Sequence, residues 1–293
     1  MADLLTYNAV GNREDLSNII TNISPVETPL YSTFGRGESA TATYHQWLED
    51  ELAPPGENAK IEGAAYEIST PTTKSRKGNY TQIFEKGYGV SGTQEAVRKA
   101  GIKSEIAYQM RKAMKEVAKD VEWAIINNLA SSAGTASAPR KMGGIQAFVT
   151  TNVLDNGGSA RELTETLLND GIQQAWEAGG DPDVVVCSGN KKRKISSFTA
   201  GAQKTISAND KRLVAAIDIY ESDFGVLRIM PHRMMPNDRI FVLEKGRWKI
   251  SYLRPFAQKN VAETKDAIEK VIIGELTLEA RAEKANAIIK DLS

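Results

Sequence analysis

Gly87, Gly89 and Gly92 stand at the G-x-G-x-x-G spacing of a phosphate-binding loop, after an extended segment and before a helix. A dinucleotide site also needs a second strand after that helix and an acidic residue at its end to hold the ribose. Here a short helix leads straight into a much longer one, so the glycines read as a bend between a hairpin and the helices. No cofactor is expected.

The other reactive side chains are few and scattered. His45, His232 and Cys187 lack any metal-ligand spacing. His45 falls in an extended aromatic segment, His232 in the loop "PHRMMPND", and Cys187 in "VVVCS", where a thiol is a small buried hydrophobe. Glu49, Asp50 and Glu51 form an acidic cluster, but neighbours on a strand alternate faces and do not converge on one ion. That cluster reads as solvated or facing another subunit. Lys191, Lys192, Arg193 and Lys194 suit a phosphate, yet such a run beside a helix start is commonly a solvated face. There is no G-x-S-x-G and no glycine-rich loop ending in Gly-Lys-Ser/Thr. The expectation is no catalytic residue, no metal site and no small-molecule substrate.

Composition narrows the partners. The chain has 293 residues, 41% of them hydrophobic, with 37 basic and 37 acidic side chains. Zero net charge does not advertise nucleic acid or membrane as a partner. One cysteine allows no internal disulfide, which suits a reducing cytoplasm. No signal peptide is evident, and no run approaches the ~18 apolar residues of a membrane helix. Glycan-acceptor triplets begin at Asn22 and Asn79, but nothing else suggests secretion.

The elements that must position these residues follow from periodicity. Residues 13–23 place Leu16, Ile19, Ile20 and Ile23 on one helical face, which Pro25 ends. "ETPLYSTFGRGESA" is a turn-rich arm, and 41–49 is extended. The stretch 53–80, "APPGENAKIEGAAYEISTPTTKSRKGNY", has no helical stripe and little to bury. It reads as a long β-hairpin or loop with arms near 59–69 and 74–86, and loops of this length are usually functional. After a short helix at 93–100, a helix over 104–129 repeats Ile106, Met110, Ala113, Met114, Val117, Val121, Ile125 and Leu129 at three- and four-residue steps, with Ser104 as N-cap. Residues 131–160, rich in Ser, Ala and Gly around a strand-like "GIQAFVT", mark a domain boundary.

Beyond it, Thr164 caps a helix with Leu167, Leu168, Ile172 and Trp176 in phase, closed by Gly179 and Gly180. "PDVVVCS" is a buried strand and "GNKKRKISSFTA" a helix; strands follow at 213–220, 224–230, 239–243 and 247–253. "GELTLEARAE" alternates cleanly, with Leu276, Leu278, Ala280 and Ala282 on a core face. Glu275, Thr277, Glu279 and Arg281 then face solvent or a neighbour.

This order of parts, with the words "DLSNIITNISPVETPLYS", "HQWLEDELAPPGENAKIEG", "GNYTQIFEKGYGVSGTQEAV", "AGGDPDVVVCSGNKKRKISSFT", "YLRPF" and "ELTLEARAEKANA", resembles the major capsid proteins of tailed bacteriophages over about residues 13–286. The resemblance implies an α+β chain of the Hong Kong 97-type fold. Residues 1–40 resemble an arm lying across adjacent subunits, and 41–88 a strand and extended loop reaching over a neighbour. Residues 89–139 resemble a peripheral domain with its spine helix, 140–245 an axial domain, and 246–293 return strands of the peripheral domain. Expected subunit contacts are Ile61, Tyr66, Ile68, Lys74, Arg76, Lys77 and Tyr80. Lys60, Lys74 and Lys77 also lie where some relatives form Lys–Asn cross-links, but no partner Asn or activating acid is indicated.

The resemblance further implies pentamers and hexamers of the chain in an icosahedral shell around double-stranded DNA, touched without sequence preference. It implies separate scaffold, portal and decoration proteins, assembly in the host cytoplasm and residence in the virion. The alternatives are a cargo-enclosing, encapsulin-like shell of the same fold, an α/β enzyme built on 160–240, and an unrelated fibre or tail protein.

Overall fold

A computed structural model of the chain describes residues 28–66, 68, 73–97, 104–198, 219–262 and 265–293. The elements begin with helix α1 (Pro29–Thr33), strands β1 (Gly35–Arg36), β2 (Tyr44–Glu49), β3 (Ser75–Tyr80) and β4 (Gln82–Ser91), then helices α2 (Gly92–Ala96) and α3 (Glu105–Asn127). There follow α4 (Ile145–Phe148), β5 (Val153–Leu154), α5 (Glu165–Glu177), β6 (Val184–Cys187) and α6 (Gly189–Phe198). The chain closes with β7 (Ile219–Ser222), β8 (Gly225–Pro231), β9 (Ile240–Leu243), β10 (Trp248–Asn260), β11 (Ala267–Ala280) and β12 (Ala287–Ile289).

The apolar stripe of 104–129 folds as α3, 23 residues and about 34 Å long at 1.5 Å per residue. Ser104 caps it, its hydroxyl accepting from the Ala107 amide at 3.3 Å. Ala113, Met114, Val117, Val121 and Ile125 are buried, whereas Leu129 lies past the helix end and is exposed. The helix packs on a four-stranded sheet of order β1-β10-β11-β4. A six-stranded sheet, β5-β12-β9-β6-β8-β7, carries α5. Its β6 and β9 place Val184, Val186, Phe241 and Leu243 in the core shared with α3, while Val185, Cys187, Ile240 and Val242 join a second core with Leu168 and Ile172 of α5. Strand alternation lets one sheet serve both cores.

Several expectations change. The hairpin arms are 44–49 and 75–80, paired from Tyr44 opposite Tyr80 to Glu49 opposite Ser75. Residues 59–66 form no strand, and the expected arm 74–86 breaks at Thr81 into β3 and β4. "GIQAFVT" is not a strand: Gly144 precedes the one-turn helix α4, and a Cβ there would stand 2.4 Å from the Ile125 carbonyl oxygen. Only glycine permits that approach, and the turn it makes prevents extension. Trp176, in phase with the apolar face of α5, is half exposed and packs on Phe224 at 5.4 Å. The glycine run is no bend, because Gly87 and Gly89 lie inside β4 opposite Val271 and Glu269.

Residues 246–293 divide. β10 and β11 belong to the four-stranded sheet, but β12 pairs with β9 and β5 in the six-stranded one. Strand 247–253 extends to Asn260, with register shifts at 252–257. The expected helix 13–23, the end of the helix at 93–100 and most of strand 213–220 lie outside the described residues.

Candidate assembly surface

β11 sets up the geometry. Of the four residues expected to face solvent or a neighbour, Arg281, just past the strand end, is exposed, but Glu275, Thr277 and Glu279 do not reach solvent. The expected solvent face is instead the socket of the β2–β3 hairpin. Asn79 is fully buried there, its amide nitrogen donating to the carbonyls of Leu278 (2.8 Å) and Gly143 (3.0 Å), its oxygen accepting from the Gly143 amide (2.8 Å). The Thr277 hydroxyl donates to the Tyr80 carbonyl at 2.9 Å. The Thr81 hydroxyl donates to Glu275 at 2.6 Å, and Arg140 bonds the Thr81 carbonyl at 2.7 Å. Glu275 also pairs with Arg140 and, at 2.9 Å, with Arg254. Buried polar groups are tolerated only when satisfied in this way.

The charge of Glu275 follows from these partners. Burial pushes its pKa up, but the Thr81 hydroxyl and the two guanidiniums outweigh burial and hold the carboxyl below its usual range.

Further out, Glu49 Oε1 accepts from the Ala282 amide at 3.0 Å, and Lys284 meets Glu51 at 2.6 Å. The acidic cluster is thus partly engaged by its own chain. Trp47 packs against Phe148, which meets Trp248, which stacks on Phe34, so the hairpin base, α4, β10 and the chain after α1 share one aromatic contact. Beyond Glu49 the order stops. Residues 50–66 carry no regular structure, and Leu52, Ile61, Tyr66 and Ile68 are at least 85% exposed.

A second polar knot joins distant segments. Glu122, on the buried side of α3, accepts from the amides of Leu30 (2.8 Å) and Tyr31 (2.7 Å), the unpaired donors of the first turn of α1. His232 Nε2 lies 2.8 Å from the same carboxylate, and His232 Nδ1 accepts from the Met234 amide. With Nδ1 accepting, Nε2 carries the proton and donates to Glu122. The arm runs on along the edge of β10, with Gly37 and Ala40 amides bonding Ile250 and Tyr252 carbonyls. The described part of the expected arm, 28–40, therefore lies on its own subunit.

The SU10 major capsid protein family model matches residues 4–293. The chain belongs to that family. It is 24% identical to the major capsid protein of Escherichia phage Phieco32, over 89% of this chain and 88% of that one. Its fold matches a chain of the cyanophage A-1(L) capsid asymmetric unit with a TM-score of 0.67, at 13% identity, covering 98% of both chains. A chain of the satellite phage P4 procapsid, solved with a size determination protein, matches with a TM-score of 0.60 at 12% identity, over 97% of this chain and 93% of that one. The fold is the Hong Kong 97 type, and the chain is a major capsid protein of a phage head shell.

Within this capsid chain the expected site residues separate. Ile61, Tyr66 and Ile68 lie on the exposed tip; Lys74, Arg76 and Lys77 are exposed beside it on the outer half of the hairpin. Tyr80 does not join them, being half buried at the base against Tyr44 at 4.6 Å. The run at Lys191 is not simply solvated either, since Lys191 is buried and bonds the Ser293 carbonyl. Cys187 is buried, which pushes its thiol up to about 12. Among the described residues no cluster of His, Cys, Asp and Glu could hold a metal, and no helix is long and apolar enough to cross a membrane. Glu122, Glu275 and Asn79 were missed as structural centres. Glu122 had a signal: it sits four residues after Ala118 and three before Ile125, an acid on the apolar face of α3.

Proposed function

We propose that the chain is the repeating subunit of a closed icosahedral shell around double-stranded DNA, and that residues 50–74 lie on a neighbouring copy. The supporting observation is the contrast within the hairpin: a base fixed by buried hydrogen bonds carries an outer end whose Leu52, Ile61, Tyr66 and Ile68 are left uncovered by the described residues. Closed rings use such unlike patches meeting head to tail. In this reading the four-stranded sheet with α3 is the peripheral domain, and the six-stranded sheet with α5 is the axial domain. Pentamers and hexamers form in the host cytoplasm, and scaffold, portal and decoration proteins are separate partners. The chain acts structurally and not as a catalyst. An encapsulin-like shell differs by enclosing protein instead of DNA.

The test replaces residues 53–73 with a short Gly-Ser turn, keeping β2 and β3. Loop length alone alters stability weakly. The variant is expected to keep a cooperative melt and to form no stable shells. Normal shells from the shortened chain, seen by negative-stain microscopy, refute the role given to the tip.

A further inference from the structure

We infer that the face of the four-stranded sheet around Gly87 is the seat on which Tyr66 and its apolar neighbours from a second copy come to rest, a proposal that rests on the shell reading above and names its receiving surface. Residues two apart on a strand share a face. Val271 and Ile273 of β11 therefore continue the face of Glu275, Thr277 and Glu279, whose polar groups meet the β2–β3 hairpin and Thr81 just after it. Past Glu275 that cover ends. Val271 and Ile273 are partly exposed, and Ile83 of β4, opposite Glu275, is 47% exposed. One side of one sheet thus has an inner half roofed by a hairpin and an outer half whose aliphatic groups are open.

Gly87 is the floor of that outer half, directly opposite Val271. Its own subunit does not require a glycine there. Its backbone is not left-handed, and a Cβ would meet nothing within 4 Å. Gly89 differs, because a Cβ there would stand 3.0 Å from the Glu269 side chain. Glycine weakens the interior of a strand and often marks the close approach of another molecule's backbone or ring. At Gly87 the approach comes from outside the subunit.

The occupant follows from what the same chain offers. A head-to-tail ring needs two unlike patches on every copy, one that reaches and one that receives. Ile61, Tyr66 and Ile68 reach, and at 85% exposure or more they do not sit on their own sheet. A ring such as that of Tyr66 covers a strand glycine well, as aromatic side chains do beside glycines in sheets. A neighbour's strap laid there would extend the layer that the subunit's own hairpin begins. The exposed Tyr108 and Trp123 of α3 form no such floor, because the Lys112–Glu116 pair lies between them.

The experiment uses the full chain carrying Tyr66→Cys and Gly87→Cys. Particles are treated with a short bismaleimide and run on a denaturing gel. The double variant should give a ladder of covalent multimers, and each single variant should stay monomeric. A double variant that remains monomeric overturns the proposal. So does a covalent dimer from Gly87→Cys alone, which would mean that this face meets its own copy. If the parent chain forms no particles, the shell reading fails, and the same treatment of concentrated free protein still decides: a ladder supports the contact, and its absence overturns it.

Gly87→Val separates the partner's need for glycine from the subunit's. Valine suits a strand and has room here, so the melting temperature should hold or rise while stable shells are lost. A lowered melting temperature would show that the glycine serves its own fold, and normal shells would show that nothing docks on it; either result overturns the proposal.

Discussion

At the inner end of the β2–β3 hairpin, Asn79, Thr81, Glu275 and Thr277 are buried polar groups with their hydrogen bonds made. At the outer end, Ile61, Tyr66 and Ile68 are apolar groups in water. Each end inverts the usual placement of its residue type. A polar base gives direction: hydrogen bonds hold the hairpin at one angle, which an apolar contact would leave free to slide. An apolar tip gives adhesion, because the surface it exposes is favourable to cover. The comparison teaches that a reaching element needs orientation at its root and unspent surface at its end.

The sharpest way to break this comparison is Glu275→Ala. It leaves Arg140, Arg254 and Thr81 facing an empty position. Since both guanidiniums keep some contact with water, the cost is about 3 kcal/mol, the low end for breaking a buried pair. Thermal melting checks it, and a melt like that of the parent would mean that the socket does not hold the hairpin. Asn79→Ala comes next, at about 2 kcal/mol, because the Gly143 amide loses its acceptor inside the core.

Acidity tests the same root more gently. The folded pKa of Glu275 lies below the ordinary 4.5, so its stabilisation is complete above that pH and fades as pH falls through the lower folded value. Melting temperature should therefore drop below pH 4.5 in the parent, and drop less steeply in Glu275→Gln. Equal slopes in the two proteins would remove Glu275 from the account. The smallest effect on folding belongs to the tip. Ile61→Ser with Tyr66→Ser should move stability by no more than about 0.5 kcal/mol, as exposed substitutions do. Particle yield should nevertheless fall. A tip pair that unfolds the subunit, or shells that assemble as before, would erase the distinction between the ends.

How much of this the sequence disclosed depends on the range of the interaction. α3 was readable because its stripe and its Ser104 cap are local signals. The reading of 53–80 as having little to bury holds at Ile61, Tyr66 and Ile68, which are exposed, and fails at its end, where Asn79 is fully buried and Tyr80 half buried. The hairpin register was not readable, since β2 meets β3 across a long intervening segment, and register is read from sequence only where a short loop fixes it. β11 misled for a physical reason. Alternation reports two unlike faces, but not that Arg140 and Arg254, far along the chain, will cover the polar one. "GIQAFVT" misled because β-favouring residues were overruled by the close approach at Gly144.

The Glu122 knot has a consequence in time. Its carboxylate meets amides 92 and 91 residues away and an imidazole 110 residues away. Contacts of such separation close late, because chain entropy must be spent before they return anything. Until α1 and the His232 loop arrive, α3 carries a carboxylate on the face that must go inside, and that face cannot finish consolidating. Completion of the subunit thus waits on both segments. Until both have docked, the longest helix keeps an unsatisfied carboxylate on the face that must go inside.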